Sequence, residues 1–389
     1  MAREELLLES LPVGPLGIIA LPSCKELGSK IDEHIASWRN AGSEKPSMAP
    51  FHNYKRDSYL IDAKVPRFGS GEAKGIISQS VRGDDVYIIT DVTNHSISYS
   101  LCGHKNYMSP DDHFQDLKRV IAAIGGKAKR INVIMPFLYE SRQHKRSGRE
   151  SLDCALALQE LVSMGVENII TFDAHDPRVQ NAIPLHGFET VAPTYQFIKA
   201  LLKREEDIKI DPEHMMIISP DEGGTSRAIY YSSVLGVDLG VFYKRRDYSK
   251  IVDGRNPIVA HEYLGTSVEG KDCLVIDDMI SSGESMLDVA TELKRRKARR
   301  VFIASSFGLF TNGFAKFDEY YEKGLIDRIL TTNLIYQTPE LLTKPYYTNV
   351  DMSKYIALII ETLNHDASLS ELLNPVTRIH NILKEYNQI

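Results

Sequence analysis

Two acids side by side, followed by small hydroxylated residues and a glycine, are the first feature that could do chemistry. Residues 274–285 read LVIDDMISSGES. An apolar strand ends in Asp277 and Asp278. Ser281, Ser282, Gly283, Glu284 and Ser285 then lead into a helix. In an open parallel sheet, ligands sit beyond the carboxyl ends of the strands. Successive backbone N–H groups, two or three hydroxyls and a helix N-terminus are what a phosphate monoester needs. The paired acids cannot serve the phosphate. They suit sugar hydroxyls, which donate to carboxylates, or a hydrated Mg²⁺. The plainer alternative is a strand–helix turn whose Asp and Ser residues only cap the helix. Two adjacent acids are more than a cap requires.

Five further stretches carry residues of the same kind. SPDEGGTSRA, 219–228, ends a strand in Pro and Asp221, and Gly223 and Gly224 permit close backbone approach to a diphosphate. Asp221 can bind a metal. FDAHD, 172–176, also follows a strand and carries His175, a residue type with many roles. PFLYESRQHKRSGRE, 136–150, carries Arg142, whose planar fork suits phosphates, and Gln143. Its Lys145, Arg146 and Arg149 read equally as a solvated face. VFYKRRDYSK, 241–250, places Lys244, Arg245 and Arg246 just past a strand. RFGSGEAKGIISQSVRGDDVYII, 67–89, offers Phe68, able to stack on a base, and Glu72.

The elements that must position these residues follow from periodicity. Strands are expected at 16–21, 86–90, 131–137, 168–172, 215–219, 239–243, 273–276, 301–305 and 328–332. Helical spacing marks 25–38, 114–124, 152–164, 195–203, 226–235, 285–297 and 314–322. Such alternation implies mainly parallel sheets with helices on both faces. The expected fold is therefore α/β, with two tandem doubly wound domains. These are an N-terminal domain over 1–190 and a C-terminal domain over 191–350, the boundary falling near 187–193. Residues 355–363 and 376–386 read as amphipathic helices. Residues 351–389 are expected to pack back on the N-terminal domain. The polar segments 40–55 and 203–212 read as inserted loops.

Composition narrows the class. The 389 residues carry a net charge of -6, which gives no support to a general nucleic-acid binder, so any anion site must be local. No apolar run reaches the ~18 residues of a membrane span. The acidic start MAREELLLESLP argues against a signal peptide. The four cysteines are far apart with no CxxC, which fits a reducing, cytoplasmic setting.

The motifs taken together resemble those of ribose-phosphate diphosphokinases (phosphoribosyl diphosphate synthetases), which have the type I phosphoribosyltransferase fold. The resemblance runs from about residue 17 to about 373, in the family's order. It implies transfer of the diphosphoryl group of ATP to the 1-hydroxyl of ribose 5-phosphate, with Mg²⁺ as cofactor. By the same resemblance, Lys244, Arg246 and His175 are catalytic. Phe68, Glu72, Arg142 and Gln143 bind ATP, Phe68 and Glu72 reaching the adenine of ATP on a neighbouring subunit. Asp221, Gly223, Gly224, Asp277, Asp278 and residues 281–285 serve ribose 5-phosphate and the diphosphate. His175 and Asp221 lie near the metal. Residues 247–265 become a flap over the substrates. A homo-oligomer is implied, often a hexamer in the family. The FTNG stretch, 310–313, loosely resembles a regulatory phosphate/ADP loop.

The chain also departs from the family pattern. Ser70 stands where the family has Asp, His144 replaces the Asp after the Arg-Gln pair, and Ser281 replaces the third acid of the Asp-Asp loop. Around His175 the family's Asp-Leu-His-Ala becomes Asp173, Ala174, His175 and Asp176. Two other readings are a regulatory relative that binds nucleotide without chemistry and a phosphoribosyltransferase consuming phosphoribosyl diphosphate. The second would leave Arg142, Gln143, His175 and the Gly223 loop unexplained, and fold alone does not settle activity.

Overall fold

A computed structural model describes residues 10–41, 54–246 and 258–388. Most of the 40–55 insertion and the 247–257 part of the expected flap lie outside the described residues. The chain divides into two compact units. The first is built up to Ala192, with Asn333–Tyr336 and Asp351–Asn374; the second holds Pro193–Thr332, Gln337–Val350 and the residues from Pro375.

The first unit carries β1 (Leu16–Ala20), the short ribbon β2 (Ala63–Lys64) and β3 (Ile76–Ile77), and β4 (Asp85–Ile89). The hairpin β5 (Ser98–Leu101) and β6 (His104–Tyr107) follows, then β7 (Arg130–Ile134), β8 (Asn168–Phe172) and β9 (Gly187–Val191). Its main sheet runs β1-β4-β7-β8-β9, every pair parallel. Side chains alternate between faces along a strand. Ile19, Val86, Ile88, Ile131, Val133 and Ile169 therefore share one face. They pack with Phe114, Leu117, Val120 and Ile121 of helix Pro110–Ile124 and with Leu158 and Leu161 of helix Asp153–Ser163. Helix Lys25–Ala41 packs on β1 and on helix Ser353–Asn364.

A buried polar network holds that last helix. The Arg39 guanidinium donates to both Glu361 carboxylate oxygens at 2.8–3.0 Å and to Asn364 at 2.8 Å. Asn364 in turn donates to Asp85 at 2.9 Å, and Arg130 meets Asp85 through two bonds of 2.8 Å. Polar groups at this depth are tolerable because each finds partners.

The second unit carries β10 (Met215–Ser219), β11 (Asp238–Arg246), β12 (Ile258–Leu264), β13 (Asp272–Ile280), β14 (Arg300–Gly308), β15 (Arg328–Thr332) and β16 (Tyr347–Val350). Their order is β12-β11-β10-β13-β14-β15-β16. Only β12 is antiparallel, along β11. The chain starts in β10, steps to one side for β11, and returns to the other side for β13. That reversal is a topological switch point, the crevice where doubly wound sheets bind ligands.

Three expectations change. Residues 258–264, expected within the polar flap, form strand β12, which pairs antiparallel with β11 as the sheet's edge strand. Strand β13 does not stop at the acids: Met279 and Ile280 still pair with Phe307 and Gly308. The C-terminal residues do not act as one module. Helix Ser353–Asn364 belongs to the first unit, whereas helix Val376–Glu385 packs on Thr194–Arg204 in the second. Among the described residues no helix is long and apolar enough to cross a membrane.

Candidate active site

In the second unit, the loops after β10 and β13 are neighbours because their strands pair directly. After β10, the buried Ser219 hydroxyl donates to the Asp221 carbonyl at 2.7 Å, and the Gly224 N–H donates to Asp221 Oδ1 at 3.1 Å. This closes a tight turn into helix Thr225–Leu235, whose N-cap Gly224 has no side chain to cap it. A Cβ at Gly224 would meet Ser219 Oγ at 3.1 Å and the Ile276 carbonyl at 3.6 Å. The glycine thus lets this turn lie against β13.

After β13 comes the second turn. Ser281 and Ser282 lead to Gly283, with φ of 83°, and helix Glu284–Arg295 begins. Gly283 offers no side-chain cap, so the first N–H groups of the helix are suited to an anion. A Cβ at Gly283 would lie 2.1 Å from Phe317 Cζ. The Glu284 carboxylate is ion-paired with Lys316 at 3.1 Å and largely exposed, so it is engaged away from the loop backbone. The segment after β14 braces the turn: Leu309 N–H donates to the Ile280 carbonyl at 2.9 Å and Thr311 N–H to the Ser281 carbonyl at 3.0 Å. FTNG, 310–313, therefore abuts the turn.

The paired acids sit between these turns. Asp278 is buried and its N–H donates to Asp277 Oδ1 at 2.9 Å. Asp277 faces Arg227 at 3.5 Å. Burial first, then the charges of Asp278 and Asp221, push the Asp277 carboxyl up to about 8 against the opposing pull of Arg227. Arg227 was not singled out from the sequence. It lies one helical turn beyond Gly223 within the SPDEGGTSRA stretch, and that spacing was the available signal. Phe317 and Lys316 had no such signal, since their contacts with the turn are purely tertiary. Lys244 and Arg246 lie at the carboxyl end of β11, with their side chains outside the described set.

In the first unit, the loops after β7 and β8 are likewise neighbours. Arg142 is exposed. The Gln143 amide donates to the carbonyls of Lys145 and Ser151 at 3.2 and 2.9 Å, so it ties its own loop together. His175 is exposed, and its ring lies 5.4 Å from that of His144. Asp173, before it, takes a left-handed φ of 42°. Asp176 is held by Arg178, whose hydrogen bonds bring its carboxyl down to about 2.

Phe68 and Glu72 lie on the turn Arg67–Ala73, apart from these loops in sequence. Phe68 is 53% exposed, so its ring face is available for stacking. Its N–H donates to the Glu72 carbonyl at 2.7 Å, and Ser70 Oγ donates to the Glu72 carboxylate at 2.8 Å. Arg67 anchors the turn through Asp116 at 2.8 Å and lies over the Tyr99 ring. Ser70, the first departure, thus engages Glu72 directly.

Comparison with known proteins gives a consistent picture. Residues 16–165 match the family described as the N-terminal domain of ribose phosphate pyrophosphokinase, and residues 195–342 match the phosphoribosyl transferase domain. The chain is 29% identical over 339 residues to a ribose-phosphate pyrophosphokinase of Vibrio cholerae, covering 86% of this chain and 98% of that protein. It is 28% identical over 335 residues to the enzyme of that name from Pasteurella multocida, covering 85% and 97%. Among solved structures, phosphoribosylpyrophosphate synthetase from Mycobacterium smegmatis superimposes with a TM-score of 0.70 at 21% identity, over 91% of this chain and all of that one. That last likeness establishes the two-unit α/β fold.

Proposed function

The chain belongs to the ribose-phosphate pyrophosphokinase family, and from that premise we propose that it makes phosphoribosyl diphosphate and AMP from ATP and ribose 5-phosphate. The observation that carries the assignment of parts is the switch point. There, two helix N-termini without side-chain caps flank Asp277 and Asp278. An anion at each turn, with sugar hydroxyls between them on the acids, uses every group in that arrangement.

The reaction is an in-line displacement at the β-phosphorus. The ribose 1-oxygen forms a bond to phosphorus and gives up its proton to solvent, the bond to the oxygen bridging the α- and β-phosphorus breaks, and AMP leaves with that oxygen. Such chemistry needs positioning and charge stabilisation more than covalent help. Asp277 and Asp278 accept from ribose hydroxyls. Residues 281–285 hold the 5-phosphate, and Asp221, Gly223 and Gly224 attend the diphosphate. Lys244 and Arg246 meet the charge that builds on the transferring group. Arg142 and Gln143 contact ATP, and Phe68 with Glu72 takes the adenine.

Mg²⁺ characteristically takes one or two carboxylates and draws its other ligands from water and phosphate. Asp221, a carboxylate beside the diphosphate turn, fits that requirement. The imidazole of His175 suits softer metals, so its role is on phosphate or metal-bound water. Bound Mg²⁺ would neutralise the triphosphate. The working form is proposed to be a cytoplasmic homo-oligomer, a hexamer by family likeness, with Phe68 and Glu72 serving a neighbouring subunit.

The test is AMP release from ATP and Mg²⁺ with and without ribose 5-phosphate. AMP that appears only when ribose 5-phosphate is added supports the reading. No AMP, with ATP still bound, would overturn it in favour of a nucleotide-binding regulatory relative.

A further inference from the structure

Two of the departures from the family pattern, His144 and Asp176, face one another. His144 lies on the loop after β7 and Asp176 on the loop after β8, 32 positions apart in sequence. His144 Nε2 is 3.5 Å from Asp176 Oδ2, and both side chains are nearly buried, at 12% and 11% exposure. The other face of the arrangement is His175, whose ring centroid lies 5.4 Å from that of His144 at an interplanar angle of 59°.

Asp176 is itself immobilised. It accepts from the Arg178 backbone N–H and guanidinium, both at 2.9 Å, and caps the turn Pro177–Ala182. A chain of fixed contacts therefore runs from Arg178 through Asp176 and His144 to His175. Each departure alone would be costly. Asp at both 144 and 176 would set two carboxylates against each other, and His144 without Asp176 would lose the only charged group facing its Nε2 among the described contacts.

We propose that His144 and Asp176 form a positioning pair for His175, with Asp176 fixing the His144 ring and His144 fixing the orientation of His175. Holding His175 governs ATP rather than the sugar phosphate, since the switch-point groups hold the latter. The inference rests on the diphosphokinase reading.

The test compares His144→Ala, Asp176→Asn, His144→Asp and the double variant His144→Asp/Asp176→Ala. Steady-state AMP formation is measured, together with ATP affinity by titration calorimetry and melting temperature. Asp176→Asn keeps an acceptor for the Arg178 cap, which guards against simple misfolding. His144→Ala and Asp176→Asn are expected to lower kcat/KM for ATP about tenfold or more while KM for ribose 5-phosphate stays within about twofold. His144→Asp should be worse than His144→Ala, because it sets two carboxylates against each other, and the double variant should return only to the level of His144→Ala, because it still lacks the imidazole. If His144→Asp is no worse than His144→Ala, or His144→Ala matches the parent, the pair has no positioning role. A parent protein that binds ATP but releases no AMP would sink the functional reading instead. The pair would then be judged by the same pattern in ATP dissociation constants.

Discussion

Gly283 sits directly against the ring of Phe317: a Cβ at position 283 would lie 2.1 Å from Phe317 Cζ, and the residue holds φ at 83°. Phe317 is fully buried and edge-packed on Phe310, so it has no room to retreat. The turn before helix Glu284–Arg295 is therefore specified twice, by backbone conformation and by contact. Gly283→Ala is expected to cost about 1–3 kcal/mol from overpacking and left-handed strain. It should also raise KM for ribose 5-phosphate more than KM for ATP. Urea unfolding and initial rates check both. A variant as stable and as active as the parent would show that the turn tolerates a shift of Phe317.

Asp277 predicts a pH dependence. Burial and the neighbouring Asp278 push its carboxyl up to about 8 in the folded chain, against the usual ~4 when unfolded. Below the unfolded value both states hold the proton. Between the two values the folded chain keeps a proton that the unfolded chain has released, so stability falls as pH rises through this window and levels off above it. Asp277→Asn removes that contribution. Its melting temperature should gain on the parent from pH 5 to pH 8.5 in metal-free buffer. A difference that stays constant with pH would remove Asp277 as its source.

Lys244→Ala tests the charge-stabilising role. AMP formation is expected to fall about 10²–10³-fold, with ATP and ribose 5-phosphate affinities changed far less. Single-turnover kinetics with radiolabelled ATP separates the two effects. A loss confined to KM would reassign Lys244 to ground-state binding.

Arg39 and Glu361 make a buried ion pair joined by three hydrogen bonds, with side chains 2% and 8% exposed. Removing one partner strands the other charge. Glu361→Ala should therefore destabilise the first unit by about 3–5 kcal/mol, read from urea unfolding followed by circular dichroism. Replacing both residues with apolar ones of similar volume should cost much less than the single change. Equal losses in both variants would argue that packing, not charge, dominates there.

Much of this protein was legible along the chain. Strand–helix alternation, the DDMISSG and PDEGG stretches and the cation run at 244–246 are local patterns. Periods of 2 and 3.6 residues and turn chemistry are written within a few neighbouring residues. They were enough to place Gly224 and Gly283 in the turns that follow strands, but they ended the strand at Asp277 and Asp278, short of Ile280, where β13 stops. What they could not express was which strands pair. The order that sets β10 between β11 and β13, and so brings the Asp221 turn beside Asp277, comes from burial summed over the whole sheet. The apolar runs of these strands are nearly interchangeable as sequence. For the same reason the reach of β13 to Ile280, the pairing of β12, the division of the C-terminal helices and the meeting of His144 with Asp176 were decided only by tertiary structure. Each depends on contacts between segments whose separation along the chain carries no periodic signal.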